Sequence, residues 1–356
     1  MRAILLLLGL VMLVPPADGC GIPWRHGQLV SVASEDALIV WDAGAKTEHF
    51  IRRANFRTEA KDFGFLVPTP TMPVLEEADE TIFATLAHAT APKIIYQHRT
   101  EKVYRLTNPM HYGASPPPAA AVEILDRKKV AGYDAVVLKA NDPTALRDWL
   151  DKNGYEARPE LVEWFRWYTD HNWIMTAFKL SKDGSAANQL TGRTVRLTFQ
   201  TEVPFYPYRE PTDMRKDAGA GQRLLRVYFL SDKRYEGTLG KEGSWSGRAV
   251  WSNLAPDDTA RAVISGLGLE PKARDVSLAK KWHLTEFEDS SFPRPGTDEV
   301  YFRVAANQDA VEKPPVIVPI VDYEYVDVPA DYTMPALLGV VGLIGIGVVG
   351  WRLVRK

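Results

Sequence analysis

Ala37-Leu38-Ile39-Val40-Trp41 is a run of five apolar residues, three of them β-branched or aromatic, and it has the length and composition of a strand. Similar runs return at Phe63 to Val67, Ala135 to Leu138, Val195 to Phe199, Leu224 to Leu230 and Val300 to Val304. Several alternate in character, as in Arg226-Val227-Tyr228-Phe229. Sheet therefore dominates. Helices are fewer and well punctuated. Asp142-Pro143 offers a capping carboxylate and a proline at the first helical position, Leu146, Trp149 and Leu150 form an apolar stripe, and Asn153-Gly154 ends the helix. A second helix starts at Pro159 and carries Leu161, Trp164, Phe165 and Tyr168 before Asp170. Asp79 caps a third, and Asp257 or Asp258 a shorter one through Ile264. Helices scattered among strands without a regular βαβ rhythm indicate an α+β, sheet-dominated domain.

The chain has 356 residues, of which 46% are hydrophobic and 25% charged, so it folds rather than remaining disordered. A net charge of -2 lacks the basic excess that nucleic-acid binding needs to neutralise phosphates, so nucleic acid is excluded as a partner. Cys20 is the one cysteine, which excludes an intramolecular disulfide framework and any multi-cysteine metal centre.

Both ends are apolar, and they differ in kind. Arg2 is followed by uncharged residues 3–14, then Pro15-Pro16 and the small residues Ala17 and Gly19. At about 1.5 Å per residue this run is too short to cross a hydrocarbon core of about 30 Å, and its order of charge, apolar run and small residues is that of a secretory signal over 1–19. Cleavage after Gly19 makes Cys20 the first mature residue and a candidate lipidation site, while Ala17-x-Gly19 suits ordinary signal peptidase equally well. Met334 to Trp351 contains no charge and is followed by Arg352, Arg355 and Lys356. It is long enough for one transmembrane helix, and the basic tail 352–356 places the C-terminus in the cytoplasm and the body outside. The G-x-G-x-x-G at 345–350 is no dinucleotide fingerprint, since too little chain remains to build a βαβ unit. Between these ends, residues 20–312 form the extracytoplasmic domain, with room for two subdomains and a candidate break at 111–120 around Ser115-Pro116-Pro117-Pro118. Residues 313–333, with Pro314, Pro315, Pro319 and Pro329 among acidic residues and tyrosines, read as an extended stalk. The polar stretches 181–192 and 208–222 read as linkers.

The order of several motifs resembles a known family. Ala37 to Asp42, Glu48-His49-Phe50-Ile51-Arg52-Arg53 and Asp62-Phe63-Gly64-Phe65-Leu66-Val67-Pro68-Thr69-Pro70 are similar to the opening of an uncharacterised bacterial family, DUF2330. Val122-Glu123-Ile124-Leu125, Gly132 to Leu138, Asp142 to Leu150 and Asn153-Gly154-Tyr155 are similar to its middle. The resemblance covers roughly residues 20 to 330 and implies an exported, often membrane-anchored bacterial domain with no assigned activity. Relatives often carry a second cysteine soon after the first; Ile22-Pro23-Trp24 here does not.

No local catalytic motif is present. The histidines, His26, His49, His88, His98, His111, His171 and His283, include no pair at metal-binding spacing. Gly243-Ser244-Trp245-Ser246-Gly247 has tryptophan where a nucleophile elbow needs serine. Glu48-His49 and Asp170-His171 are candidate acid–base or ligand pairs only if distant residues join them, and an ordinary surface or core-edge role competes. Trp164, Trp167, Tyr168 and Trp173 fit a sugar-stacking platform, but the helical spacing of the first three equally suits a core stripe. Pro68, Thr69, Pro70 and Thr71 lie where prolines interrupt a strand, which puts them at a sheet edge as a candidate binding rim, or makes them a stiff connection. The sequence thus points to an envelope module, held in the membrane, that binds or organises another envelope protein or a cell-wall component. It indicates no cofactor or metal. The alternative is an envelope hydrolase or metal-dependent enzyme whose site is assembled from distant residues.

Overall fold

The computed structural model describes residues 30–58, 62–105, 133–140, 142–181, 189–191, 194–216, 223–269 and 281–327. The signal segment, Cys20, the break at 111–120, the apolar segment 334–351 and the basic tail lie outside them. Among the described residues no helix is long and apolar enough to cross a membrane.

In chain order the elements are β1 (Val30–Asp42), β2 (Thr47–Thr58), β3 (Asp62–Thr69), β4 (Val74–Glu77), α1 (Thr81–Ala89), β5 (Ile94–Arg105), β6 (Tyr133–Leu138), α2 (Pro143–Lys152), α3 (Pro159–Asp170), β7 (Ile174–Ser181), β8 (Gln189–Thr191), β9 (Val195–Gln200) and β10 (Phe205–Tyr206). They continue with α4 (Thr212–Lys216), β11 (Leu224–Ser231), β12 (Tyr235–Leu239), β13 (Gly243–Ser244), β14 (Arg248–Leu254), α5 (Asp257–Gly266), β15 (His283–Asp289), β16 (Val300–Val304) and β17 (Val316–Asp327). The protein is α+β and sheet-dominated, and it divides into two units: a large one spanning residues up to 91 and 127–313, and a small one from 92–126 and 314 onward.

The large unit is built on a sheet in the order β14-β15-β11-β1-β2-β9-β4, with β8 also on β2. Strands β1 and β11 run parallel, and the other pairs are antiparallel. The unbroken apolar run in β1 follows from its central position, because the two faces of the strand enter two cores. Ala37, Ile39 and Trp41 pack with Phe50, Phe65 and Phe178 on one side. Leu38 and Val40 pack on the other with Ile82, Phe83 and Leu86 of α1 and Val263 of α5. A three-stranded sheet, β3-β7-β6, covers part of the first core. Phe63, Phe65 and Val67 of β3 enter that core, while Leu66 points outward to meet Leu146 and Leu150 of α2 and Leu161, Trp164 and Phe165 of α3. A four-stranded sheet, β10-β16-β12-β13, contributes Phe205, Val300, Phe302 and Tyr235 to the first core.

Helix α2 starts on its expected cap, whereas the cap positions of α1 and α5 are Glu80 and Pro256 rather than the expected aspartates. The Asp142 carboxylate accepts the Thr144 N–H at 2.6 Å, and Pro143 opens α2. Asp79 accepts the Thr81 N–H at 2.8 Å, although Glu80 holds the cap position of α1. Helix α5 begins directly after Pro256, so Asp257 and Asp258 lie inside its first turn, where they favour the helix dipole.

Gly243-Ser244-Trp245-Ser246-Gly247 is a core plug. Trp245 is buried against Phe287 and Phe302 and donates its indole N–H to Asp289 at 3.2 Å. A methyl group at Gly237 or Gly247 would lie 2.5 Å or 2.3 Å from its ring atoms, so two glycines make room for the indole. Gly247→Ala is expected to cost about 1 to 3 kcal/mol by overpacking, read as a lowered urea midpoint. An unchanged midpoint would mean that the indole moves freely.

Within the segment 313–333, residues 316–327 are strand β17, paired in parallel with β5 from Val316↔Ile94 to Asp327↔Arg105. Val316, Ile317, Val318, Ile320, Val321, Tyr323 and Tyr325 give it strand composition despite Pro319.

Candidate functional site

Helix α3 forms one wall of a cleft of about 340 Å³ in the large unit. Leu161, Phe165 and Tyr168 face the core, Trp164 is buried with one edge on the cleft, and Glu160, Glu163, Arg166, Trp167 and Asp170 lie along the cleft. The facing chain runs from Arg209 to Arg215, with Gly296 and Thr297 beside it. Arg158 pairs with Asp213 at 2.7 Å and ties the start of α3 to α4. Trp164 donates its indole N–H to the Arg209 carbonyl at 3.0 Å, a second tie between the walls.

Arg209 is held on three sides. It donates to Asp298 at 2.8 Å, lies 3.7 Å from the Glu299 carboxylate, and stacks 4.4 Å from the centre of the Trp167 ring. Glu299 is fully buried beneath it and accepts N–H groups from Tyr208 at 2.7 Å and Arg209 at 3.1 Å as well as the Tyr168 hydroxyl. Burial outweighs these bonds and pushes the Glu299 carboxyl up. Glu210, also buried, receives Arg223 through two bonds of 2.7 and 2.8 Å. Arg215 donates to the Thr212 hydroxyl at 3.0 Å, and its Nε has no hydrogen-bond partner among the described residues. The cleft thus joins a largely acidic helical wall to a wall bearing Arg209 and Arg215, with an indole edge between them.

Asp289 anchors a neighbouring polar cluster. It accepts from Tyr208 at 2.7 Å, from Ser246 at 3.1 Å and from the Ser291 N–H at 2.9 Å. Burial opposes its ionisation, but the hydrogen bonds from Ser291 and Tyr208, with the Arg294 charge, prevail and hold the carboxyl below its ordinary value. The serine at Ser246 therefore serves a carboxylate that orders the Trp245 loop.

The residues singled out in the sequence are placed as follows. Pro68 and Thr69 end β3, an edge strand, and are buried; Pro70 is half-buried and Thr71 exposed. Thr69 donates its hydroxyl to the Thr71 carbonyl at 2.9 Å, and Thr71 exchanges bonds with the Gln200 backbone at 2.7 and 3.0 Å. These contacts fasten the segment to β9, and the four residues do not line the cleft. Glu48 and His49 are strand neighbours with separate partners. Glu48 is fully buried, accepts the Phe205 N–H at 2.9 Å, and is pushed well above the usual carboxylate range by burial. His49 meets the Thr198 hydroxyl at 3.0 Å. Burial, with help from Arg196, lowers its imidazole to about 4. His171 stacks on Trp167 with centroids 4.2 Å apart, beside Asp170 at the cleft. Trp164 and Tyr168 are core residues, while Trp173 is half-buried against Phe205. The indole of Trp167 already carries Arg209 and His171, so the four aromatics do not form an open platform. Among the described residues no group of three His, Cys, Asp or Glu side chains is arranged to hold a metal.

His49 has a measurable consequence. Its folded value lies below its ordinary 6.5, so the unfolded chain binds the extra proton first, and stability falls as pH drops from 6.5 toward about 4. His49→Gln is expected to flatten the stability curve in that window by one proton's slope, measured by urea unfolding at pH 4.5, 5.5 and 6.5. Parallel curves for the two proteins would remove His49 as the titrating group.

Arg209, Glu210, Arg215 and Glu299 were not legible as site residues. The first three lie in the polar stretch read as a linker, and Glu299 adjoins an apolar strand; only the fold brings them to α3.

No curated protein matches the chain. Among solved structures, the crystal structure of baculovirus P35 is similar at 8% identity, over 79% of this chain and 95% of that one, with a TM-score of 0.33. The sequence model of DUF2330, described as an uncharacterized protein conserved in bacteria, matches residues 14–294, and the chain belongs to that family.

Proposed function

We propose that this DUF2330 protein is a single-pass envelope protein whose large unit binds an envelope component bearing both a cationic and an anionic group, such as a peptide segment of another envelope protein or of the cell wall. Residues 1–19 direct export, 334–351 anchor the chain, and 352–356 stay in the cytoplasm; the charge order at the two ends supports this topology. The observation that carries the binding role is the α3 cleft, with Glu160, Glu163 and Asp170 on one wall and Arg209 and Arg215 on the other. Such walls orient a ligand by electrostatic complementarity more than by buried area.

The test places a photo-cross-linking residue at Glu163 in the full chain in intact cells, with an exposed position away from the cleft, Lys241, as control. We expect an adduct at Glu163 that is absent at Lys241 and is lost in Arg215→Ala. Equal labelling at both positions, or none at Glu163, would overturn the cleft as the binding face. Protection of a tag after Lys356 from external protease checks the orientation separately.

A further inference from the structure

The small unit contains a parallel two-stranded ribbon of β5 and β17, each 12 residues long. Parallel sheets are ordinarily covered on both faces, and an isolated pair of strands is marginal in water. Here Ile94, Ile95 and Tyr96 of β5 and Ile317 and Tyr323 of β17 are each at least half exposed, with values from 50% to 60%. Among the described residues no third strand joins either edge.

The two strands differ in charge. Strand β5 carries His98 and Lys102 beside an Arg99–Glu101 ion pair, whereas the matching part of β17 carries Asp322 and Glu324 and no Lys or Arg. Within the ribbon this difference is already used, since His98 meets Asp322 at 2.8 Å and Lys102 lies 3.7 Å from Glu324. A strand on the open edge of β5 would occupy the same lateral position as β17 does on the other edge, and so meets the same basic residues.

We propose that the ribbon is a self-association edge: β5 of one copy pairs in parallel with β17 of a second copy of this chain. Charge selects this arrangement. Pairing β5 with β5 sets Lys102 near its own kind without an acid of the partner strand to meet it, and pairing β17 with β17 does the same for Asp322 and Glu324. The mixed pairing is head-to-tail and leaves one β5 edge and one β17 edge free, so association is open-ended rather than closed at a dimer. Backbone geometry permits it. The Val316 N–H bonds the Lys93 carbonyl at 2.9 Å, so the alternation of a parallel ladder turns even-numbered β17 residues and odd-numbered β5 residues inward. Pro319 then falls on the outward set of β17, where it removes one donor from the new ladder and none from the existing one.

The same alternation supplies the test. Thr100 lies on the outward set of β5, so Thr100→Pro removes a donor from the association edge and spares the ribbon's own bonds. Sedimentation velocity of the full chain in detergent with reductant, over a hundredfold range of concentration, should show wild-type protein forming a dimer and then larger species. Thr100→Pro should require at least tenfold more protein to associate, and Lys241→Ala, an exposed change in the large unit, should associate like wild type. A wild-type chain that stays monomeric, as when another segment of the same chain covers the edge, overturns the proposal. So does a series that stops at a dimer, or a Thr100→Pro protein that associates unchanged.

Discussion

Arg52→Ala is expected to lower the unfolding free energy by about 3 to 5 kcal/mol at neutral pH, because it leaves a buried carboxylate without its counterion. Arg52 and Glu35 are each 3% exposed, with Nε and Nη2 of the guanidinium reaching the two carboxylate oxygens and the guanidinium carbon 4.6 Å from the centre of the Phe65 ring. The pair spans neighbouring strands β1 and β2, with a water-sized cavity of about 10 Å³ beside it that Leu66, Pro68 and Trp164 also line. Burial pushes the Glu35 carboxyl up, but the Arg52 charge and hydrogen bond prevail and hold it below 4.5. In the wild type, Glu35 therefore contributes stability that is present above pH 4.5 and is lost as pH falls through its depressed folded value. Removing Arg52 reverses the sign. Burial is then opposed only by the Tyr206 hydrogen bond and the Arg294 charge, so the variant is expected to gain relative stability on acidification. Chemical unfolding of both proteins should show a deficit that is larger at pH 7 than at pH 5. Replacing both partners, Glu35→Leu with Arg52→Met, should recover much of the loss. A single-variant deficit below about 1 kcal/mol, or one equal at both pH values, would sink this account of the pair.

The second large effect is expected for Trp164→Ala, about 3 to 5 kcal/mol, since the change empties a buried aromatic site. Trp164 is 5% exposed and packs edge-on against Tyr168 with centroids 4.7 Å apart. Its indole N–H also fastens Arg209 to α3, so the variant loses a tie that shapes the cleft as well as core volume. Trp167→Ala, three residues on, removes a half-buried ring stacked by Arg209 and His171, and should cost nearer 1 kcal/mol. Thermal unfolding of the two variants side by side tests the assignment. Midpoints that both stay close to wild type would mean that both rings are surface groups, and the sugar-platform reading would return.

The sequence by itself determined the elements with local signals. Asp142-Pro143 and Asn153-Gly154 bound α2, Pro159 and Asp170 bound α3, and the apolar runs at 37–41, 63–67, 195–199, 224–230 and 300–304 are all strands, because capping, proline placement and strand composition act within a few residues. It also carried the order of motifs on which membership of DUF2330 is recognised. Other features depended on partners far along the chain. Nothing local told 316–327 that it would pair with 94–105, so a strand-forming segment rich in proline and acid read as a stalk. Nor did composition tell the buried Trp164 from the half-buried Trp167. Trp164 and Trp167 share a helix and a spacing, and only the packing of α3 on β3 and β7, with the 209–215 chain laid across it, buries one and leaves the other at the rim. The same holds for Glu35, Glu48 and Glu299, ordinary glutamates in the sequence. Their ionisation is set by burial and by which donor the fold brings to each: a guanidinium for Glu35, a single N–H for Glu48, and N–H groups with a tyrosine hydroxyl for Glu299. Electrostatic free energy depends on distance and solvent exclusion, and both are properties of the tertiary structure.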